Sequence, residues 1–193
     1  MLGLKLPTDP RWVNLTEKSL EDILTDHAYC EQKAASSGIS IIQQFPDYPF
    51  IVDALSPVVA EEWGHFRMVL AQLQQRGLRL GRQRKDEYVQ ALSGFVRKGV
   101  SREESLMDKL LLCALIEARS CERFRLLSQH IRDEELRRFY KNLMVSEAGH
   151  YTLFLQLAKQ VRREEEVAIR WSEWLAFEEV VMQQLELRGD RMH

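Results

Sequence analysis

Residues 62–65 read Glu-Trp-Gly-His, and the same pattern returns at residues 147–150 as Glu-Ala-Gly-His. Each stretch places a glutamate three residues before a histidine, with a glycine directly before that histidine. Residues three apart on a helix lie on the same face, so one metal ion can contact both side chains. The repeated Glu-x-x-His spacing therefore predicts two helices that each supply a carboxylate and an imidazole to a metal site.

Two further glutamates, Glu31 and Glu117, stand at matching places upstream of these stretches. They lie in the segments HAYCEQKAASSG and LLLCALIEARSCERF, and each is followed by a cation and small residues. The separations from Glu31 to His65 and from Glu117 to His150 are nearly equal, which indicates a repeated helix hairpin with turns near residues 46 and 132. At a rise of ~1.5 Å per residue, the ligands on the two helices of each hairpin lie equally far from the turn. All six side chains can therefore meet in one layer of the bundle.

Apolar residues surround the four glutamates at helical spacing, which predicts that their carboxylates are buried. An ionised carboxylate on an apolar face is costly unless it is paired or binds a metal, and two divalent ions would neutralise four of them. Carboxylate-rich ligation with one imidazole per metal favours iron or manganese over structural zinc. We expect no catalytic residue beyond the ligands. The predicted metal ligands are Glu31, Glu62, His65, Glu117, Glu147 and His150.

The sequence leaves alternatives open at three positions near this predicted site. Glu61 could replace Glu62, because residues four apart also share a helix face with His65. Glu122 could replace Glu117, although its polar neighbours predict an exposed face. His27, one helical turn before Glu31, could orient that glutamate or could equally be a core or surface histidine.

Helical periodicity runs along most of the chain, and only nine glycines and five prolines interrupt it. The sequence therefore predicts an all-α protein, a ferritin-like four-helix bundle with a long crossover and an additional C-terminal helix. We expect a single domain over residues 1–193, with capping residues at Asn14, Ser101 and Asp133. Pro57 either starts the second helix or kinks one that begins near residue 48. The bundle spans about 14–161, with turns or connections near 45–47, 77–100 and 132, and the outer helix spans about 164–188.

The composition predicts neither secretion nor a large charged interface. The net charge is −2, and the three cysteines form no CxxC pair, which argues against a disulfide framework or a thiolate zinc site. The first residues do not resemble a signal peptide, and no apolar run is long enough to span a membrane. We expect a cytoplasmic protein, and a monomer.

Four segments, HAYCEQKAASSG, EEWGHF, LLLCALIEARSCERF and SEAGHYTLF, resemble the bacterial tRNA-(2-methylthio-N6-isopentenyladenosine) hydroxylase family of ferritin-like di-iron monooxygenases. The resemblance covers nearly the whole chain, and LIEARSCERF is its most specific part. It implies two iron ions held by the six predicted ligands, O2 as co-substrate, and an electron-donor protein or reductant. It also implies a tRNA partner, in which the isopentenyl group of the modified adenosine at position 37 is hydroxylated.

A local basic cluster between residues 76 and 102 is compatible with a tRNA partner, because cationic side chains bind phosphates. Arginines at 119, 123 and 125, or at 132, 137 and 138, could extend it. The competing hypothesis is a ferritin-like protein that handles iron or scavenges peroxide without a nucleic-acid substrate; a helical scaffold without metal is a third. The predicted tRNA contacts are Arg79, Arg82, Arg84, Lys85, Arg97 and Lys98.

Overall fold

A computed structural model describes residues 2–193, and every regular element in that range is a helix. The all-α prediction is therefore confirmed. The seven helices of the described residues are α1 (Arg11–Lys18), α2 (Leu20–Gln44), α3 (Pro49–Gln75), α4 (Glu87–Ser93), α5 (Arg102–His130), α6 (Glu134–Val161) and α7 (Glu164–Gln184).

The chain divides into two compact units, each built on one pair of long helices. One unit comprises residues 14–85 and 188–192 and contains the packed pair α2 and α3. The other comprises the chain up to Val13 together with 86–187 and His193, and contains the packed pair α5 and α6. Short loops join the helices of each pair, which makes the partners antiparallel neighbours.

The α2–α3 unit buries one apolar face of each helix. Its fully buried side chains include Ile23, Leu24, Ile51, Leu55 and Val69. Gly38 lies where the two helices approach closely, because a Cβ there would come within 2.7 Å of Val59 Cγ2. The small glycine therefore sets how near α2 and α3 can pack, and the ligand side chains extend from this pair.

The α5–α6 unit is larger because α4 and α7 pack onto it. Trp174 and Val167 of α7 are buried, together with Phe124, Tyr140 and Leu143 of the central pair. As expected, α7 is an additional C-terminal helix. The 26-residue gap between α3 and α5 is not a bare loop, since α4 interrupts it and Asp86 caps that helix by accepting from the Val89 amide.

Two predicted helix starts are correct, and one is wrong. Ser101 and Glu104 form the capping box of α5, and the Asp133 carboxylate accepts from two amides at the start of α6. Asn14 is not a cap, because it lies inside the short α1; a break at Ser19 separates α1 from α2. Pro57 lies inside α3, which begins at Pro49, so it does not start the helix, and its side chain is exposed.

Candidate metal centre

The α2–α3 unit brings together three of the six predicted ligands. Glu31, Glu62 and His65 are all buried, and each offers a donor atom within 4.8 Å of the others. His65 Nδ1 lies 3.6 Å from Glu62 Oε2 and 3.7 Å from Glu31 Oε2. Helical spacing produces the Glu62–His65 pair, and the short turn between α2 and α3 brings Glu31 level with them.

The α5–α6 unit repeats this arrangement with the other three predicted ligands. Glu117, Glu147 and His150 are buried and also offer donor atoms within 4.8 Å of one another. His150 Nδ1 lies 3.6 Å from Glu147 Oε2, the same separation as in the first unit. Two hairpins of one chain thus bury the same triad of two glutamates and one histidine.

The donor set of each triad fits a divalent transition metal. Two carboxylates and one imidazole supply oxygen and nitrogen ligands, which suit iron and manganese. Burying two carboxylates beside each other is costly, because their charges repel in a region from which water is excluded. A cation among the donor atoms removes that repulsion, so the chemistry of the residues present fits a metal ion.

His27 contacts a predicted ligand directly. Its Nε2 atom lies 2.6 Å from Glu31 Oε1, and the imidazole ring is fully buried on α2. An imidazole N–H that donates to one carboxylate oxygen fixes the orientation of the carboxylate and leaves its second oxygen for a metal. Of the roles that the sequence left open, the structure supports orientation of Glu31.

Burial favours Glu62 over Glu61 as the ligand, but it does not favour Glu117 over Glu122. The Glu61 side chain is 50% exposed, whereas that of Glu62 is 1% exposed. The expectation that Glu122 is exposed is wrong, because Glu122 is buried as deeply as Glu117. The Glu122 carboxylate is instead engaged by other groups: it accepts from Arg119 at 2.7 Å and from the Thr8 hydroxyl at 2.6 Å.

In the α5–α6 unit, the pKa values of Cys121 and Glu122 are shifted in opposite directions. Burial, followed by the negative charge of Glu147, raises the pKa of Cys121 to about 11. The thiol is therefore protonated at neutral pH in the metal-free protein. Burial raises the pKa of Glu122, but Arg119 and Thr8 outweigh that effect and hold it below its ordinary value.

The six predicted tRNA contacts differ in their surroundings. Arg84 donates to Asp22 and Asp190, and Arg97 donates to Asp108, so both guanidinium groups hold parts of the fold together. The others have exposed side chains and carry no recorded ion pair within residues 2–193. These four exposed cations are Arg79, Arg82, Lys85 and Lys98.

Two of the arginines expected to extend the basic cluster are buried, so that expectation is wrong for them. Arg119 is fully buried and donates to Glu178 and Glu122, and Arg123 is buried over the Trp12 ring at 4.7 Å. Burial, followed by the charge of Arg119, lowers the pKa of Arg123 to about 10. Neither guanidinium is available to a phosphate. The sequence missed this network because its partners lie far apart along the chain.

No helix among residues 2–193 is long and apolar enough to cross a membrane.

Comparisons with known proteins find relatives over most of the chain. The family model described as tRNA-(MS[2]IO[6]A)-hydroxylase (MiaE) matches residues 2–193. A Pseudomonas putida protein named tRNA 2-(methylsulfanyl)-N(6)-isopentenyladenosine(37) hydroxylase is 38% identical over 165 residues, which cover 86% of this chain and 79% of the relative. A Salmonella typhimurium protein of the same name is 28% identical over 211 residues, covering 84% and 77%.

A solved structure is similar over almost its entire length. It is described as protein 43 with aldehyde deformylating oxygenase activity from Synechococcus, and the two chains are 34% identical. The TM-score is 0.92, with 98% of this chain and 94% of that chain covered. The expected ferritin-like fold class is thereby confirmed. With the family model matching all but the first residue, the chain belongs to the tRNA-(MS[2]IO[6]A)-hydroxylase (MiaE) family.

Proposed function

We propose that this protein is an O2-dependent monooxygenase that hydroxylates the isopentenyl group of 2-methylthio-N6-isopentenyladenosine at position 37 of tRNA. One observation carries the proposal: two hairpins bury the same Glu-Glu-His triad within a chain that matches the hydroxylase family over residues 2–193. A donor set of this kind is the one found in di-iron carboxylate proteins.

We propose that the six predicted ligands hold two iron ions, the cofactor that the family resemblance implies. When bound, a di-iron centre supplies the redox chemistry that activates O2 and oxidises an aliphatic carbon. The overall reaction inserts one oxygen atom into a C–H bond and reduces the other to water, which consumes two electrons and two protons from an external donor. The ligands would be Glu31, Glu62, His65, Glu117, Glu147 and His150.

The chain's own residues contribute position and exclusion of water. His27 contacts one oxygen of Glu31 at 2.6 Å, which restrains the carboxylate and leaves its other oxygen for a metal. Buried apolar side chains share the helix faces of the ligands, including Leu24 and Leu55 in one unit and Phe124 and Leu143 in the other. Such a shell limits water entry and the loss of oxidising equivalents to side reactions.

A tRNA substrate has consequences for partners and location. The exposed cations Arg79, Arg82, Lys85 and Lys98 are suited to phosphate contacts, whereas Arg84 and Arg97 would contribute mainly through the fold. Position 37 lies in the anticodon loop, so a base there is reachable without opening a long duplex. An enzyme acting on tRNA would work in the cytoplasm with a separate electron donor, and we propose that it does so as a monomer.

The direct test uses protein loaded with iron, reduced and exposed to O2 in the presence of tRNA that carries the prenylated base. We expect the nucleoside to gain the mass of one oxygen atom, derived from labelled O2. Absence of incorporation by reduced, iron-loaded enzyme would refute the proposal. tRNA lacking the prenyl group is the matched negative substrate.

A second activity is tested under the same conditions in a separate reaction, because the similar solved structure is described as having aldehyde deformylating oxygenase activity. An aliphatic aldehyde replaces tRNA, and release of formate is measured. We expect tRNA hydroxylation to exceed aldehyde turnover. If neither substrate reacts while iron is taken up and peroxide is consumed, the iron-handling alternative is favoured instead.

A further inference from the structure

An exposed pair of aromatic rings lies on α3, directly beside two predicted ligands. Trp63 is 48% exposed, and its ring stacks on that of Phe66 with centroids 4.8 Å apart and planes 28° apart. The tryptophans Trp12 and Trp174, by contrast, are fully buried. An exposed tryptophan forgoes a large burial energy, so the face that Trp63 presents is suited to a partner.

Helix geometry ties this pair to the proposed metal site. Trp63 follows Glu62 and Phe66 follows His65, so the rings are rotated by about 100° from the ligand face of the same helix. Both rings therefore lie on the same turn of α3 as Glu62 and His65, outside the buried ligand face.

The charge near the rings favours an anionic partner. Arg67, next to Phe66, is exposed and takes part in no recorded hydrogen bond or ion pair within the described range 2–193. The nearby acid, Glu61, has its carboxylate 3.8 Å from His65 Nε2. At ~1.5 Å per residue, the end of α3 lies about 18 Å beyond Trp63, and the exposed Arg79, Arg82 and Lys85 follow it in the same unit.

We propose that Trp63 and Phe66 form a stacking platform for an unpaired base that flanks the target adenosine, with Arg67 contacting the adjoining phosphate. This inference rests on the proposed function, because it takes single-stranded RNA as the partner. Unpaired bases stack on aromatic rings, and an arginine beside them neutralises backbone charge. The platform would hold the loop while the modified adenosine leaves its stack and reaches the site.

The test compares variants for binding to an anticodon stem-loop that carries the prenylated adenosine, using iron-loaded protein. Loss of one base–aromatic stack predicts that Trp63→Ala raises Kd by about tenfold or more, and that Trp63→Phe restores most of the affinity. Arg67→Gln should raise Kd and reduce its dependence on salt. Met68→Ala is the matched control, because Met68 is 42% exposed on the same helix and has no ring partner.

Iron content, helicity and melting temperature are measured for every variant, so that a damaged fold is not read as lost binding. Retention of iron with weakened RNA binding supports the platform. Wild-type affinity in Trp63→Ala, while the wild-type enzyme hydroxylates tRNA, overturns the platform and leaves the proposed function intact. Absence of both RNA binding and hydroxylation in the wild type overturns both. A change of oligomeric state with unchanged RNA affinity also overturns the platform and assigns the face to a second copy of the chain.

Discussion

At the scale of single residues, burial distinguishes two adjacent glutamates of α3. The Glu62 side chain is almost completely enclosed and lies 3.6 Å from His65 Nδ1, whereas Glu61 is half exposed. We expect Glu62→Ala to lose most of the bound iron and all measurable hydroxylation, and Glu61→Ala to keep both. Iron per chain, measured after loading and desalting, checks this, and equal loss in the two variants would contradict it.

A second prediction concerns His150, the histidine of the other triad. His150→Ala removes the imidazole that lies 3.6 Å from Glu147, so we expect lower iron content and loss of activity with the helical circular-dichroism signal preserved. An exposed histidine of the same unit, His130→Ala, is the matched control and should behave like the wild type. Full activity in His150→Ala would show that His150 is not a ligand.

Sequence alone could identify ligand candidates where the relevant geometry is local. The Glu-x-x-His spacing fixes two side chains on one helix face whatever the rest of the chain does, and both pairs are buried as predicted. The environment of Glu122 could not be predicted, because its partner Thr8 comes from a segment more than a hundred residues away. The role of all six ligands stays a prediction until metal is measured.

At the scale of helices, buried ion pairs attach α7 to α5. Asp108 of α5 accepts from Arg170 of α7 at 2.8 Å and from the Arg97 side chain at 3.1 Å. Arg119 of α5 donates to Glu178 of α7. Removing one partner of such a pair leaves a buried charge without compensation, which is strongly destabilising.

Asp108 gives this attachment a predictable dependence on pH. Burial raises the pKa of Asp108, but hydrogen bonds from Arg170 and Arg97 outweigh it and hold the pKa below its ordinary value of 3.8. A lowered pKa stabilises the folded state above the unfolded-state pKa, and that contribution is lost as pH falls through the folded-state pKa. We expect Asp108→Asn to lower the free energy of unfolding by about 3 kcal/mol at pH 7. We also expect the free energy of unfolding of the variant to depend less on pH in the acid range. Denaturant unfolding at several pH values checks this; a parallel pH profile would contradict it.

The closeness of α2 and α3 leads to a prediction about glycines. A methyl group at Gly38 would come within 2.7 Å of Val59, so we expect Gly38→Ala to lower the free energy of unfolding by about 1–3 kcal/mol. Gly149 is also inside a helix, but open space surrounds it, and Gly149→Ala should raise stability by up to ~1 kcal/mol. Denaturant unfolding of the iron-free proteins measures both changes in the free energy of unfolding, and the prediction requires that the two changes have opposite signs.

Helix boundaries were predictable only where a local signal acts alone. The helix starts predicted at Ser101 and Asp133 are correct because both side chains accept hydrogen bonds from backbone amides a few residues ahead. Asn14 and Glu17 have the same capping-box spacing, yet they lie within α1, which begins earlier and packs Trp12 and Thr16 into the interior. Tertiary burial overrode the local preference there, and no periodicity in the sequence marks the break at Ser19.

At the scale of the whole molecule, the family resemblance stated from four segments is confirmed by the family match over residues 2–193. The all-α, ferritin-like class is likewise confirmed. The division into two compact units was not predicted, since it depends on which long-range contacts form. A net charge of −2 also conceals how cations are distributed, because Arg84, Arg97 and Arg119 are engaged inside the fold while others remain exposed.

That distribution predicts how salt affects tRNA binding. Each phosphate neutralised by a cation adds about 0.7–0.9 to the slope of log K against log salt. We expect the triple variant Arg79→Gln, Arg82→Gln, Lys85→Gln to lower that slope by about 2 and to keep its melting temperature, because these side chains are exposed. Arg84→Gln should instead lower the melting temperature, since Arg84 joins Asp22 to Asp190.

The matched control removes three exposed cations elsewhere, with Lys5→Gln, Lys18→Gln and Lys141→Gln combined in one chain. The control and the triple variant change net charge equally, so any effect of overall charge is the same in both. Filter binding over a range of salt concentrations gives the two slopes. A lower slope only in the triple variant locates phosphate contacts in the segment after α3. Equal slopes would show that this segment does not contact tRNA, and that affinity comes from other parts of the surface.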